Sequence, residues 1–293
     1  MKSKVLVIVG PTASGKSDLA VKLAKKFKGE IISADSRQVY KGLDIGTGKI
    51  TKKEMRGIPH HLLDVANPKE RFSASDFIKK AQQAITTIHR GGHIPIVVGG
   101  TGFYIDTLSG VVTIPNVPPN KKLRAKLGKK SNATLFKLLR KKDLKRARTI
   151  DNSNKVRLIR ALEIVETLGK VPPRQPVTST QRFIYVGLKP SDLDKRIHKR
   201  LLDRIDGIII EAKRLKQNGL SYKRMYELGL EYRYVALHLQ KKISKEEMIG
   251  KLNTAIRQYA KRQMTWFKRN KKIKWFKSEE YKEIEKYALN MLR

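Results

Sequence analysis

The hydrophobic positions of this chain change period as it is read from one end to the other. Val5 to Val9 is an unbroken apolar run rich in β-branched residues, the pattern of a strand buried on both faces. After the loop Gly10 to Ser17, apolar residues recur at Leu19, Ala20, Leu23, Ala24 and Phe27. That spacing predicts an amphipathic helix, with Gly29 expected to end it. Ile31 to Ala34 predicts a second short strand. Ser73 and Asp76 have the spacing of a capping box, and Phe77, Ile78, Ala81, Ala84, Ile85 and Ile88 then share one helical face up to Gly91-Gly92. Ile94 to Val98 is the next buried run. Strands alternating with helices predict βαβ units and a parallel sheet.

That alternation stops at Pro115. From Asn120 to Arg174 the chain carries 18 Lys and Arg against 4 Asp and Glu, with helical periodicity and no strand-like run. Pro118 and Pro119 precede this stretch, and Pro172, Pro173 and Pro176 close it, as prolines often do at domain edges. A strand pattern resumes at Phe183 to Leu188, and beyond Ser191 the chain reads as helical to its end. The expected organisation is a core made of residues 1–117 and 181–293, with a basic helical domain, residues 118–180, inserted into it.

Composition narrows the partners. The 293 residues are 40% hydrophobic, enough for a sizeable core, and carry a net charge of +39 from 65 Lys and Arg against 26 Asp and Glu. Such a surface draws polyanions, nucleic acid before others, although a lysine-rich surface can also serve solubility alone. The absence of cysteine excludes disulfides, thiolate metal sites and a cysteine nucleophile. The first apolar run leads straight into the glycine-bearing loop with no cleavage site. No stretch approaches the ~20 apolar residues that cross a bilayer, so a cytoplasmic protein with no membrane attachment is expected. His60 and His61 are strand neighbours and point to opposite faces, which favours packed or hydrogen-bonded roles over a shared metal ion. Trp266, Phe267, Trp275 and Phe276 could stack on bases, with helix packing at least as good a reading of the first two.

Three loops carry candidate chemistry. Gly10, Pro11, Thr12, Ala13, Ser14, Gly15, Lys16 and Ser17 match the P-loop pattern between a predicted strand and a predicted helix. Backbone N–H groups and the helix N-terminus would face phosphate oxygens, Lys16 would neutralise the terminal phosphate, and the Ser17 hydroxyl would join a Mg²⁺ shell. Asp35 follows the second strand, where ligands of open α/β sheets collect; it could be a base, an outer Mg²⁺ ligand or a turn residue. Gly99-Gly100-Thr101-Gly102 follows a third strand, allows close backbone approach and offers a hydroxyl.

Together, GPTASGKS (10–17), DSRQVY (35–40), GIPHHLLDV (57–65) and GGTGFY (99–104) closely resemble the tRNA dimethylallyltransferases of bacterial type, and Arg257 to Trp266 resembles that family's end motif. The similarity runs in order through nearly the whole chain. It implies a P-loop, nucleotide-kinase-like core with a helical insertion, Mg²⁺ dependence, and dimethylallyl diphosphate as donor. The implied acceptor is the adenine immediately 3′ of the anticodon, presented on the anticodon arm of tRNA. The resemblance also implies roles position by position. Asp35 would be the general base, with Thr101 beside the reacting amine and diphosphate. Asp35, Ser36, Arg37 and Gln38 would contact the flipped-out adenine. Further tRNA contacts would come from Arg124, the stretch Val156, Arg157, Leu158, Ile159 and Arg160, and Arg233. Departures are visible: Val156 stands where the family usually has Gln, Glu231 where it has Gly, and Gly48 and Ile50 where it has Ala and Pro. A monomer is expected.

The chemistry fits these residue types. An adenine exocyclic amine is a poor nucleophile, so transfer depends on diphosphate departure, which a P-loop lysine stabilises, and one carboxylate suffices to take the amine proton. A nucleotide or small-metabolite kinase is the alternative; it accounts for the core but leaves the basic insertion and the end motif idle. A nucleic-acid-binding ATPase with no transferase chemistry usually ends a strand in acidic residues where this chain has Val98-Gly99-Gly100.

Overall fold

The computed structural model describes residues 3–173 and 181–293; Arg174 and Pro176, at the far edge of the basic stretch, lie outside them. The chain divides into two compact units, Met1–Gly110 with Thr178–Arg293, and Val111–Val177.

The larger unit begins with β1 (Ser3–Val9), α1 (Lys16–Phe27), β2 (Gly29–Ser33), α2 (Lys52–Met55), β3 (His60–His61), α3 (Ala74–Arg90), β4 (Ile94–Gly99) and α4 (Gly102–Leu108). The smaller unit is helical: α5 (Lys121–Gly128), α6 (Asn132–Lys142), α7 (Leu144–Ala147) and α8 (Lys155–Leu168). The larger unit resumes with β5 (Gln181–Leu188), α9 (Leu193–Leu202), α10 (Ile205–Gln217), α11 (Tyr222–Leu228), α12 (Leu230–Leu239), α13 (Lys245–Phe267), β6 (Lys274–Phe276) and α14 (Tyr281–Leu292).

Its six strands form one all-parallel sheet in the order β3-β2-β4-β1-β5-β6. Alternation along β1 shows why the run must be wholly apolar. Val5, Val7 and Val9 face Phe77, Ile85 and Ile88 of α3, whereas Leu6 and Ile8 face Leu19, Leu23 and Ala24 of α1 and Ile284 of α14. The predicted capping box is present: Ser73 Oγ accepts from the Asp76 amide, and Asp76 Oδ2 accepts from the Ser73 amide.

Two expectations are corrected. Lys28, at φ +50°, is the left-handed cap that ends α1, and Gly29 already opens β2, where Ile94 O and Ile96 crowd it and leave no room for a side chain. The tail is not wholly helical, because Lys274–Phe276 adds a sixth strand beside β5. A three-residue strand is too short to show a period of its own. Within this tail Phe267 and Phe276 are buried and Trp275 packs onto Gly187, so these three are core residues and not base-stacking platforms.

The smaller unit has its own core of Leu127, Leu135, Leu139, Leu158, Ala161 and Leu162. Val117, placed in the main core by the sequence reading, belongs to this unit; its carbonyl accepts from Arg160 Nη2 at 2.9 Å.

Candidate active site

Sheet register brings the three loops together. Val9 pairs with Gly99 and Ser33 with Val98, so β1, β2 and β4 end at one edge and release the P-loop, Asp35 and Thr101 side by side. Ala34 O accepts from the Thr101 amide at 3.2 Å, and a Cβ at Gly99 would sit 2.2 Å from Ala34 O. Only glycine allows that approach.

In the P-loop, Ala13 (φ +61°) and Gly15 (φ +84°) hold left-handed backbone, the twist that turns successive N–H groups toward one anion site at the start of α1. For Ala13 this conformation costs about 1–2 kcal/mol, strain that persists only where the surroundings impose it. Lys16 Nζ reaches the neutral acceptors Pro11 O and Ser14 Oγ, the latter at 3.4 Å. Burial pushes its pKa down to about 7; the Asp35 carboxylate raises it and the nearby Arg200 guanidinium lowers it further.

Asp35 forms a turn. Its Oδ1 accepts from the amides of Arg37 at 2.8 Å and Gln38 at 3.3 Å. Thr101 Oγ1 accepts from the Ser36 amide at 3.0 Å, which locks the β4 turn to the β2 turn. Arg37 Nε donates to Leu228 O at 2.6 Å, and Gln38 Oε1 accepts from Ser33 Oγ at 3.3 Å. Thr12, Ala13, Lys16, Ser17, Asp35, Arg37 and Gln38 line one cavity. Gly10, Pro11, Ser14, Gly15, Ser36 and Thr101 stand outside its lining and shape the loops that form it.

The remaining walls come largely from the helices after β5. Arg200 of α9, Glu231 and Tyr232 of α12, and Tyr259 and Gln263 of α13 line the same cavity. Burial pushes the Glu231 carboxyl up, Arg204 draws it down, and Asp35 pushes it up. Glu211 of α10, almost fully buried, accepts from the amides of Asp44, Ile45 and Gly46 at 2.8, 2.7 and 3.0 Å and from Tyr232 Oη at 2.7 Å. That one carboxylate fixes the loop whose Thr47 and Gly48 complete the cavity wall. Glu211 and Arg200 were not recognisable beforehand because the loop backbone groups they hold lie more than 150 residues away in sequence. The paired histidines are held as expected: His60 Nδ1 donates to Ile58 O at 2.8 Å, and His61 Nε2 donates to Glu30 Oε2 at 2.6 Å.

The family model for IPP transferase matches residues 38–270. A tRNA dimethylallyltransferase of Thermoanaerobacter sp. (strain X514) is 39% identical over 307 aligned positions that cover 100% of this chain and 98% of the relative. The chain belongs to the IPP transferase family. Another member, tRNA dimethylallyltransferase 2 of Treponema denticola, is 43% identical across 92% of this chain and 93% of its own. Among solved structures, the full-length tRNA isopentenylpyrophosphate transferase of Bacillus halodurans superposes with a TM-score of 0.75 at 36% identity, covering 99% of this chain and 97% of that one. A eukaryotic dimethylallyltransferase acting on tRNA gives a TM-score of 0.83 at 29% identity, covering 99% of this chain and 77% of that one.

The residues of this family member expected to touch tRNA are scattered in their surroundings. In the smaller unit Arg124 forks onto Glu163, with Nε to Oε1 at 2.8 Å and Nη2 to Oε2 at 2.7 Å, and Arg160 reaches the same carboxylate and Val117 O. Both arginines therefore hold the unit together. Leu158 is fully buried and Ile159 packs on the same core, on the inner face of α8. Val156 and Arg157 are exposed, and Arg157 has only a loose ion pair with Asp151 at 3.8 Å. Arg233 is exposed, hydrogen-bonds Tyr226 O, and stands outside the cavity lining, whereas its neighbours Glu231 and Tyr232 line it.

Burial opposes the Glu163 charge. The Arg124 fork, the Asn120 amide and Arg160 outweigh it and hold the carboxyl at about 2, against an ordinary 4.5. The stabilisation is complete above pH 4.5 and is lost as pH falls from 4.5 through 2. It amounts to about 3 kcal/mol at ~1.4 kcal/mol per unit. Glu163→Gln should release it at neutral pH, seen as faster hydrogen exchange of α8 amides in the full chain and a smaller further loss of protection on acidification.

Proposed function

We propose that this chain transfers the dimethylallyl group of dimethylallyl diphosphate to the exocyclic N6 of the adenine 3′-adjacent to the anticodon in tRNA, releasing diphosphate. The observation that carries the reading is one cavity in which a phosphate cradle with two cations, Lys16 and Arg200, adjoins the carboxylate of Asp35. Lys16, buried and with the Arg200 guanidinium further opposing its charge, is the complement of a diphosphate. Family membership favours this reading over a kinase, because the match includes the inserted helices and α13, for which a kinase has no use.

Each residue then has a task. The P-loop amides and Lys16 hold the diphosphate and take up the charge that grows on it as the allylic carbon–oxygen bond breaks. Asp35 uses Oδ1 to keep its turn, leaving Oδ2 to accept the N6 proton as the new carbon–nitrogen bond forms. Thr101 holds the Asp35 turn through Ser36 and so sets the approach of the acceptor. Arg37 and Gln38 border the space an extruded adenine would enter. The Ser17 hydroxyl, on the cavity wall, would be the side chain that holds a Mg²⁺ together with the diphosphate; among the described residues no cluster of three acidic, histidine or cysteine side chains forms a cage of its own. Bound there, Mg²⁺ would neutralise charge on the leaving group.

The test is incubation with labelled dimethylallyl diphosphate and Mg²⁺ and either tRNA or free AMP. Label should enter tRNA alone; label in AMP would make this an enzyme of free nucleotides, and label in neither would sink the reading.

The basic smaller unit is proposed to grip the anticodon arm, and the chain to act as a cytoplasmic monomer. No helix among the described residues is long and apolar enough to cross a membrane. Because Arg160 is occupied with Glu163, the informative variant is Arg157→Ala. It should make the log–log salt dependence of tRNA binding shallower by about 0.7–0.9, one phosphate, and leave the Michaelis constant for the donor unchanged. A weaker donor with an unchanged salt slope would make the unit a lid over the donor and not a clamp on RNA.

A further inference from the structure

Gln263 is one of few buried polar side chains among the described residues of the larger unit, 6% exposed, on the inward face of α13. Both ends of its amide are used. Oε1 accepts from the Thr12 amide in the P-loop at 2.8 Å, and Nε2 donates to Gly100 O in the turn after β4 at 3.0 Å. Gly100 precedes Thr101, whose hydroxyl accepts from the Ser36 amide next to Asp35. A continuous path of hydrogen bonds thus runs from the phosphate cradle through Gln263 to the carboxylate turn. The fit is tight: a Cβ at Gly100 would lie 2.1 Å from Gln263 Nε2, and one at Gly102 would lie 2.2 Å from Trp266 Cδ1. Trp266 in turn donates its indole N–H to Asp106 at 2.9 Å, a second tie between α13 and α4.

A primary amide suits this place without any change of protonation. One partner is a donor and the other an acceptor, and the side chain that spans them must present the opposite of each at its two ends. A carboxylate keeps the Thr12 bond but sets an oxygen against Gly100 O; an apolar side chain leaves both backbone groups buried and unpaired.

We propose that Gln263 is a positioning residue for prenyl transfer: it fixes the separation between the diphosphate cradle and the Thr101–Asp35 turn, so that donor carbon and acceptor amine meet in register. The inference rests on the transfer reading above. Misplacing reacting groups by about 1 Å can cost on the order of 10²-fold in rate without weakening binding of either substrate.

The test uses the full-length protein with tRNA, dimethylallyl diphosphate and Mg²⁺. Wild-type transfer is measured first; if none occurs, the transfer reading itself fails, whatever Gln263 does. With transfer established, Gln263→Met should lower kcat roughly 10- to 100-fold and leave the Michaelis constants for donor and tRNA within about threefold. Gln263→Glu supplies a readout that simple loss of packing does not move. When its carboxyl is protonated it can again donate to Gly100 O while accepting from Thr12. The ratio of its kcat to that of wild type, taken at each pH, should therefore rise as pH falls from 8 toward 6. Unchanged kcat in both variants, a loss confined to the donor Michaelis constant, or a Glu-to-wild-type ratio flat with pH would each overturn the proposal.

Discussion

Asp35→Asn is expected to lower the rate of prenyl transfer by on the order of 10²–10⁴ while donor affinity stays near that of wild type. Asparagine is the informative replacement because the structure gives Asp35 two tasks. Its Oδ1 accepts from the Arg37 and Gln38 amides, and an asparagine oxygen can do the same, so the turn survives. What is lost is the second oxygen as a proton acceptor and the negative charge. Single-turnover rates with saturating tRNA, together with donor titrations, separate the outcomes. A variant with near wild-type rate would reduce Asp35 to a turn residue, and a variant that no longer binds donor in the presence of Mg²⁺ would place Asp35 with the metal.

Lys16→Ala is expected to cost about 3–4 kcal/mol of transition-state stabilisation, a factor of several hundred in rate, and to leave tRNA affinity nearly intact. In the proposed reading the lysine serves the diphosphate and has no RNA-facing role. A parallel loss of tRNA binding would contradict this division of labour. Lys16 should also oppose folding of the ligand-free protein. Its pKa falls from 10.5 to about 7 on burial, so in the pH range below 7 the folded state carries a charge that it disfavours. The penalty is complete below about pH 7 and fades as pH rises toward 10.5. Lys16→Met should therefore melt above the ligand-free wild type at pH 7, and the difference should shrink in alkaline buffer. Added inorganic diphosphate with Mg²⁺ should stabilise wild type far more than the variant.

How much of this was legible in the sequence depends on how far apart the interacting residues lie. The β1 run, the P-loop and the helix after it are local patterns, and the sheet confirms the strand–loop–helix order they demand. Ser73 with Asp76 is equally local, and both halves of that capping box are formed. The inserted helices announced themselves through charge and period, and the two-unit division of the chain lies close to the proline-marked breaks.

Tertiary structure decided what local pattern cannot encode. That Asp35, Thr101 and Lys16 share one edge follows from strand order, with β4 placed between β1 and β2. Glu211 looks like any charged residue on a helix until the fold brings the three amides of Asp44, Ile45 and Gly46 to it. Gln263 and Arg200 become site residues only because α13 and α9 pack onto loops far away in sequence. Arg124 and Arg160, two cations in a basic stretch, turn out to be spoken for by Glu163, since a buried carboxylate needs its charge balanced where it lies. Short-range pattern determined the longer elements and the P-loop motif of this protein; which polar side chains meet across them was decided by packing, because a hydrogen bond depends on position in space and not on distance along the chain.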